Sequence, residues 1–143
     1  MQYQVTTANN PLMPATFQGR WAVKTVQGQR VMYTTNLGAE IDFQVTEASF
    51  VRLTFLKTAA DLPSWVAVQV DGLPYQRQAV SATPLRLTFD GRPHVVRVVY
   101  SGNTDEDPVW FGDGGWAVKA LTTDGDLQPV QIGRRSLTLI GDS

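Results

Sequence analysis

The chain has 143 residues, of which 43% are apolar and 17% charged, and its formal net charge is -1. That length suits one ordinary domain, and the apolar content fills a core, which excludes a disordered chain. The balanced charge, with no cluster of Lys and Arg, excludes a nucleic-acid partner, and the absence of cysteine excludes disulfides and thiolate metal sites.

The first residues, Met1-Gln2-Tyr3-Gln4-Val5-Thr6-Thr7, show neither the positive nor the apolar region of a secretory leader. If Met1 is the native start, a cytoplasmic location is expected; if a leader was removed, a secreted one. No apolar run approaches the ~20 residues that span a bilayer, so no membrane partner is expected. Trp21–Val26 and Val31–Thr35 flank Gln27-Gly28-Gln29-Arg30 and read as a hairpin. From there the dominant period is two. Ile41, Phe43 and Val45 alternate with Glu40, Asp42 and Gln44, and Val51, Leu53 and Phe55 alternate with Arg52 and Thr54. Val66, Val68 and Val70 share one face, as do Leu85, Leu87 and Phe89. Each run places one apolar face inward and one polar face outward, as strands of a two-layer sandwich do. His94–Tyr100 is apolar on both faces and reads as a central strand.

Asp-Gly pairs at Asp71-Gly72, Asp90-Gly91, Asp113-Gly114 and Asp124-Gly125 supply residues that tolerate positive φ at tight reversals. No window combines helical periodicity with caps. The expected fold is all-β, an antiparallel sandwich of jelly-roll type with eight or more short strands. The final segment differs. Leu137-Thr138-Leu139-Ile140 runs into Gly141-Asp142-Ser143, like the first strand of an α/β domain, at whose carboxyl end a nucleophile is expected.

Few residues suggest chemistry. His94 is the lone histidine, with no second His or Cys to complete a metal site, and is expected to make a structural hydrogen bond at a strand start. Asp105, Glu106 and Asp107 are consecutive, so their side chains diverge; a solvated loop is expected, with a calcium site as the alternative. Trp110, Phe111 and Trp116 flank Gly112-Asp113-Gly114-Gly115. Trp116 opens an apolar run and belongs in the core, whereas Trp110 and Phe111 are candidates for substrate or interface contact. Trp21 and Trp65 are assigned to the core or the sandwich edge. No cofactor and no metal are expected.

Arg134–Ser143 resembles the opening block of SGNH (GDSL-type) hydrolases, in which a buried strand runs into Gly-Asp-Ser. Gly19-Arg20-Trp21 is similar to the start of the N-terminal jelly roll of carbohydrate esterase family 2. Gly38–Phe43, Val66–Gly72 and the Gly91–Val98 strand start resemble successive strands of that domain, and Thr104–Trp116 resembles its polar loop and Phe-Gly turn. The resemblance spans about Gly19 to Ser143 and rests on the order of these blocks. It implies an ester hydrolase that deacetylates a carbohydrate or releases a small acyl group. Ser143 would be its nucleophile and its Ser143 N–H an oxyanion donor, with a histidine supplied by a later domain.

On this reading residues 1–133 form an accessory β-sandwich, and 134–143 are a stub, the first strand of an α/β SGNH domain that is the sandwich's own partner. The fragment alone is expected to be inactive. Two alternatives stand beside it: an independent carbohydrate-binding module and a structural interaction domain.

Overall fold

Segments in which apolar and polar side chains alternate become strands, because only an extended backbone sends successive side chains to opposite faces. The computed structural model describes residues 2–4, 14–26, 28–56, 64–81, 83–102 and 115–130. Twelve strands fall within them: β1 (Gln2–Gln4), β2 (Thr16–Gln18), β3 (Ala22–Val26), β4 (Gln29–Thr34), β5 (Glu40–Thr46), β6 (Phe50–Leu56), β7 (Trp65–Val70), β8 (Gln76–Ala79), β9 (Leu85–Thr88), β10 (His94–Gly102), β11 (Trp116–Thr123) and β12 (Asp126–Pro129). There is no helix among the described residues.

The strands form two antiparallel sheets. The first has the order β3-β4-β11-β6-β9, with β1 also paired to β11. The second has the order β12-β5-β10-β7-β8, with β2 also paired to β5. As expected, β10 is central, pairing β5 on one side and β7 on the other. The β3–β4 hairpin is tighter than its sequence suggests. Val26 pairs Gln29, so β4 starts two residues before Val31. Gly28 supplies the positive φ of 78° which that short turn requires.

The Asp-Gly pairs play two different parts. At the end of β7, Asp71 (φ 54°) and Gly72 (φ 76°) are both left-handed, and the Leu73 N–H donates to the Val70 carbonyl at 3.0 Å. That is the mirror-image turn matched to the twist of a hairpin, here β7–β8. Asp90-Gly91 and Asp124-Gly125 instead carry the chain from one sheet to the other, as does Glu47–Ser49 between β5 and β6. These corners gather at one end of the sandwich.

Between the sheets, Ile41, Phe43, Val45, Val96 and Val98 meet Val51, Leu53, Phe55, Val118 and Leu121. Each such side chain removed from water contributes about 1.5–3 kcal/mol. Trp116, which is 0% exposed, is the hub of one end. Its ring lies 5.1 Å from Trp21, 6.0 Å from Phe55 and 6.3 Å from Tyr100, the last nearly parallel at 11°. It joins aromatic side chains of both sheets, and Trp21 packs at the edge of the same cluster.

Candidate functional site

At the corner end of the sandwich, a groove of about 460 Å³ opens between the sheets. Val70, Leu87 and Phe89 line it, with the exposed Leu73 at its side and Asp71, Asp90 and His94 around it. His94 shares strand parity with the inward-facing Val96 and Val98, so its ring lies over the end of the core, 5.2 Å from the Phe89 ring.

Both ring nitrogens of His94 meet carboxylates. Nδ1 is 2.5 Å from Asp71 Oδ2, and Nε2 is 2.7 Å from Asp90 Oδ1. A neutral imidazole carries one N–H and can donate to one of them only, so two carboxylate partners call for the imidazolium. The hydrogen bond that His94 donates to Asp71, followed by the one to Asp90, raises the His94 pKa above the ordinary histidine value. The same bonds hold Asp71 and Asp90 below the ordinary carboxylate value, helped by the backbone N–H groups of Val95 and Arg92. The result is a clamp across three segments: the β7–β8 turn, the β9–β10 corner and the start of β10. An imidazole engaged at both nitrogens has no lone pair with which to take a proton from a nucleophile. The Asp-His-Asp constellation is therefore not a catalytic base.

A second polar group lies on the outer face of the β5–β10 sheet. Arg97 donates from Nε (2.8 Å) and Nη2 (2.6 Å) to Glu40 Oε1, and from Nη1 to Gln69 Oε1 at 3.3 Å. Asp42 stands directly opposite Arg97 in the register. It is only 3% exposed, accepts from Gln18 Nε2 at 2.5 Å, and keeps Oδ1 3.8 Å from Arg97 Nε. Burial, reinforced by the charge of Glu40, pushes the Asp42 carboxyl up to about 6, while the Gln18 bond opposes the rise. Glu40 and Asp42 sit two residues apart on one strand and share a face, and the alternation of β5 foretold that pairing.

A third polar contact ties two corners together. Asp124 accepts from the Ser49 N–H (2.9 Å), the Phe50 N–H (3.3 Å) and the Ser49 hydroxyl (2.5 Å). These bonds hold its carboxyl below the usual range.

Among the described residues, no group of three His, Cys, Asp or Glu side chains is arranged to hold a metal ion. Ser143, Trp110, Phe111 and the acidic run Asp105–Asp107 lie outside the described residues. Trp116 is in the core, and Trp65 is half-buried on the outer sheet face with the Arg77 guanidinium 5.0 Å above its ring. Asp71 and Asp90 read from sequence only as turn residues; nothing local marks them as partners of His94.

No protein-family model and no curated protein sequence matches the chain. Its fold does match solved structures. An acetyl xylan esterase from the rumen bacterium Butyrivibrio proteoclasticus superposes with a TM-score of 0.58 at 17% identity, over 94% of this chain and 35% of that one. A family two carbohydrate esterase from Cellvibrio japonicus gives 0.56 at 14% identity, over 91% and 36%. A salicylyl-acyltransferase from a tetracycline biosynthetic pathway gives 0.56 at 9% identity, over 84% and 40%. The chain thus spans little more than a third of the length of these structures, and at these identities the likeness is one of fold.

Proposed function

We propose that the chain is the accessory β-sandwich of a larger ester hydrolase of SGNH type, which removes an acetyl or other small acyl group from a carbohydrate or a related ester. The observation that carries this reading is the asymmetry of coverage. Nearly all of this chain corresponds to about a third of each of two carbohydrate esterases and an acyltransferase, and all three of those proteins move acyl groups. The boundary proposed for the sandwich lies between residues 133 and 134; the last described strand ends at Pro129.

In this reading Ser143 is the nucleophile of the catalytic domain, and its own N–H contributes to the oxyanion hole. The histidine that activates it comes from that domain, because His94 is committed to its clamp. The sandwich packs against the catalytic domain and forms part of its surroundings. An independent binding module is less well supported. Its signature would be a row of aromatic side chains on one sheet face, whereas the exposed large apolar residues described are Leu37, Leu73, Tyr75 and Val95.

The 143-residue chain is expected to leave a chromogenic acetyl ester unhydrolysed. Turnover by this chain that disappears in Ser143→Ala would contradict the division of labour proposed here.

A further inference from the structure

The outer face of the β11–β6–β9 sheet carries a juxtaposition that the fold does not need. Arg86 of β9 is the direct register partner of Arg52 of β6, and Arg52 is in turn the partner of Thr122 of β11. Directly opposed residues on an antiparallel pair hold their Cβ atoms about 4.5–5.5 Å apart, where like charges repel. Both arginines are exposed. Among the described residues this is the one place where two cationic side chains are direct cross-strand partners. Among the described residues, no carboxylate lies within ion-pair distance of either, in contrast with Arg97 and Arg92.

The surroundings suit a ligand more than a bare repulsion. Arg86 stacks over the Phe50 ring at 5.0 Å, which orients its guanidinium along the sheet face. Thr54 and Thr88 flank the arginines on the same face, each two residues along its strand. The face therefore offers two planar forks with the Thr54 and Thr88 hydroxyls beside them. Forked donors select planar oxyanions such as carboxylates. A protein partner would call for an apolar anchor beside the charges. The exposed large apolar residues instead belong to the β4–β5 connection (Leu37), the β7–β8 turn (Leu73, Tyr75) and the other sheet (Val95).

We propose that Arg52 and Arg86 form a binding pair for the carboxylates of an acidic, uronate-bearing polysaccharide. The oxyanion specificity stands on the geometry alone, whereas the choice of a polysaccharide as its carrier rests on the carbohydrate-esterase reading above.

The test is affinity electrophoresis of the chain in gels containing polygalacturonate, neutral xylan or poly-glutamate. Retardation is expected in polygalacturonate only, and added salt should weaken it. Each of R52Q and R86Q should weaken binding by roughly tenfold, the usual worth of a charge-assisted hydrogen bond. The exposed R77Q on the other sheet should match the parent. Thermal melting of each variant separates loss of the site from loss of the fold. No retardation in polygalacturonate, or equal retardation of the folded R52Q/R86Q double variant, overturns the proposal. Retardation by poly-glutamate alone overturns the polysaccharide assignment. Neither outcome bears on whether a longer protein hydrolyses esters, which the acetyl-ester assay decides separately.

Discussion

His94 is charged in the clamp because it has two carboxylate partners, and that fixes how its contribution to stability depends on pH. Its pKa is higher in the folded chain than in the unfolded one, so the stabilisation is complete below the unfolded value of about 6.5 and disappears as pH rises through the folded value. Asp71 and Asp90 set the other limit. Their folded pKa values are depressed, so their share is present above the unfolded value of about 3.8 and is lost as pH falls through the folded ones. His94→Asn should therefore lower the urea midpoint most at about pH 5–6, and the deficit should shrink towards about pH 9. A deficit that does not vary with pH would mean that His94 acts through packing on Phe89 alone. Asp42 behaves in the opposite sense to Asp71 and Asp90. Its carboxyl is raised from 3.8 to about 6, so the folded chain holds that proton more tightly and loses stability as pH rises across this interval. Asp42→Asn removes the titration. The stability of the native chain relative to this variant should fall between about pH 4 and about pH 6, and denaturation curves measured across that range check it.

At the scale of elements, one corner leaves no room for added atoms. A Cβ on Gly125 would lie 2.4 Å from the Thr46 carbonyl oxygen and 2.6 Å from Ala48 Cβ, so the β11–β12 corner closes against the β5–β6 corner with no room for a side chain. Gly125→Ala should cost about 1–3 kcal/mol, the usual range for forced overpacking, read as a lower thermal midpoint. Trp116→Ala should cost more, about 3–5 kcal/mol, because it empties the cluster joining Trp21, Phe55 and Tyr100. The longer strands were legible in advance. β5, β6, β7 and β9 carry clean alternation, and the two apolar faces of His94–Tyr100 correctly indicated a central strand. β8 was not legible, because Gln76-Arg77-Gln78-Ala79 is an edge strand with no apolar face to reveal its period. β1, β2 and β12 are three or four residues long, too short for a period to show. The clamp was equally hidden. His94 was placed at a strand start, but its meeting with Asp71 depends on the β7–β10 register, which pairs Val70 with Val96. That register is a long-range fact, whereas an Asp-Gly pair announces only a turn.

For the whole molecule, alternation established two layers but did not assign strands to them. Asp90-Gly91 and Asp124-Gly125 look like hairpin turns in sequence, yet each carries the chain across to the opposite sheet, where the facing apolar surface is to be buried. The polar groups are distributed unevenly as a result. The corner end collects Glu47, Asp71, Asp90 and Asp124 around the His94 groove and an adjoining hollow of about 410 Å³, while one sheet face presents the Arg52–Arg86 pair. Three solved structures that share this fold, two esterases and an acyltransferase, are each more than twice its length. The central claim, that this sandwich serves an acyl-ester hydrolase, meets its most direct test in the protein encoded by the complete reading frame that contains this sequence. That protein is predicted to hydrolyse an acetylated sugar ester, and Ser143→Ala is predicted to abolish the activity while leaving the melting profile unchanged. A complete protein with no ester-hydrolysing activity, or one whose activity survives Ser143→Ala, would contradict the account.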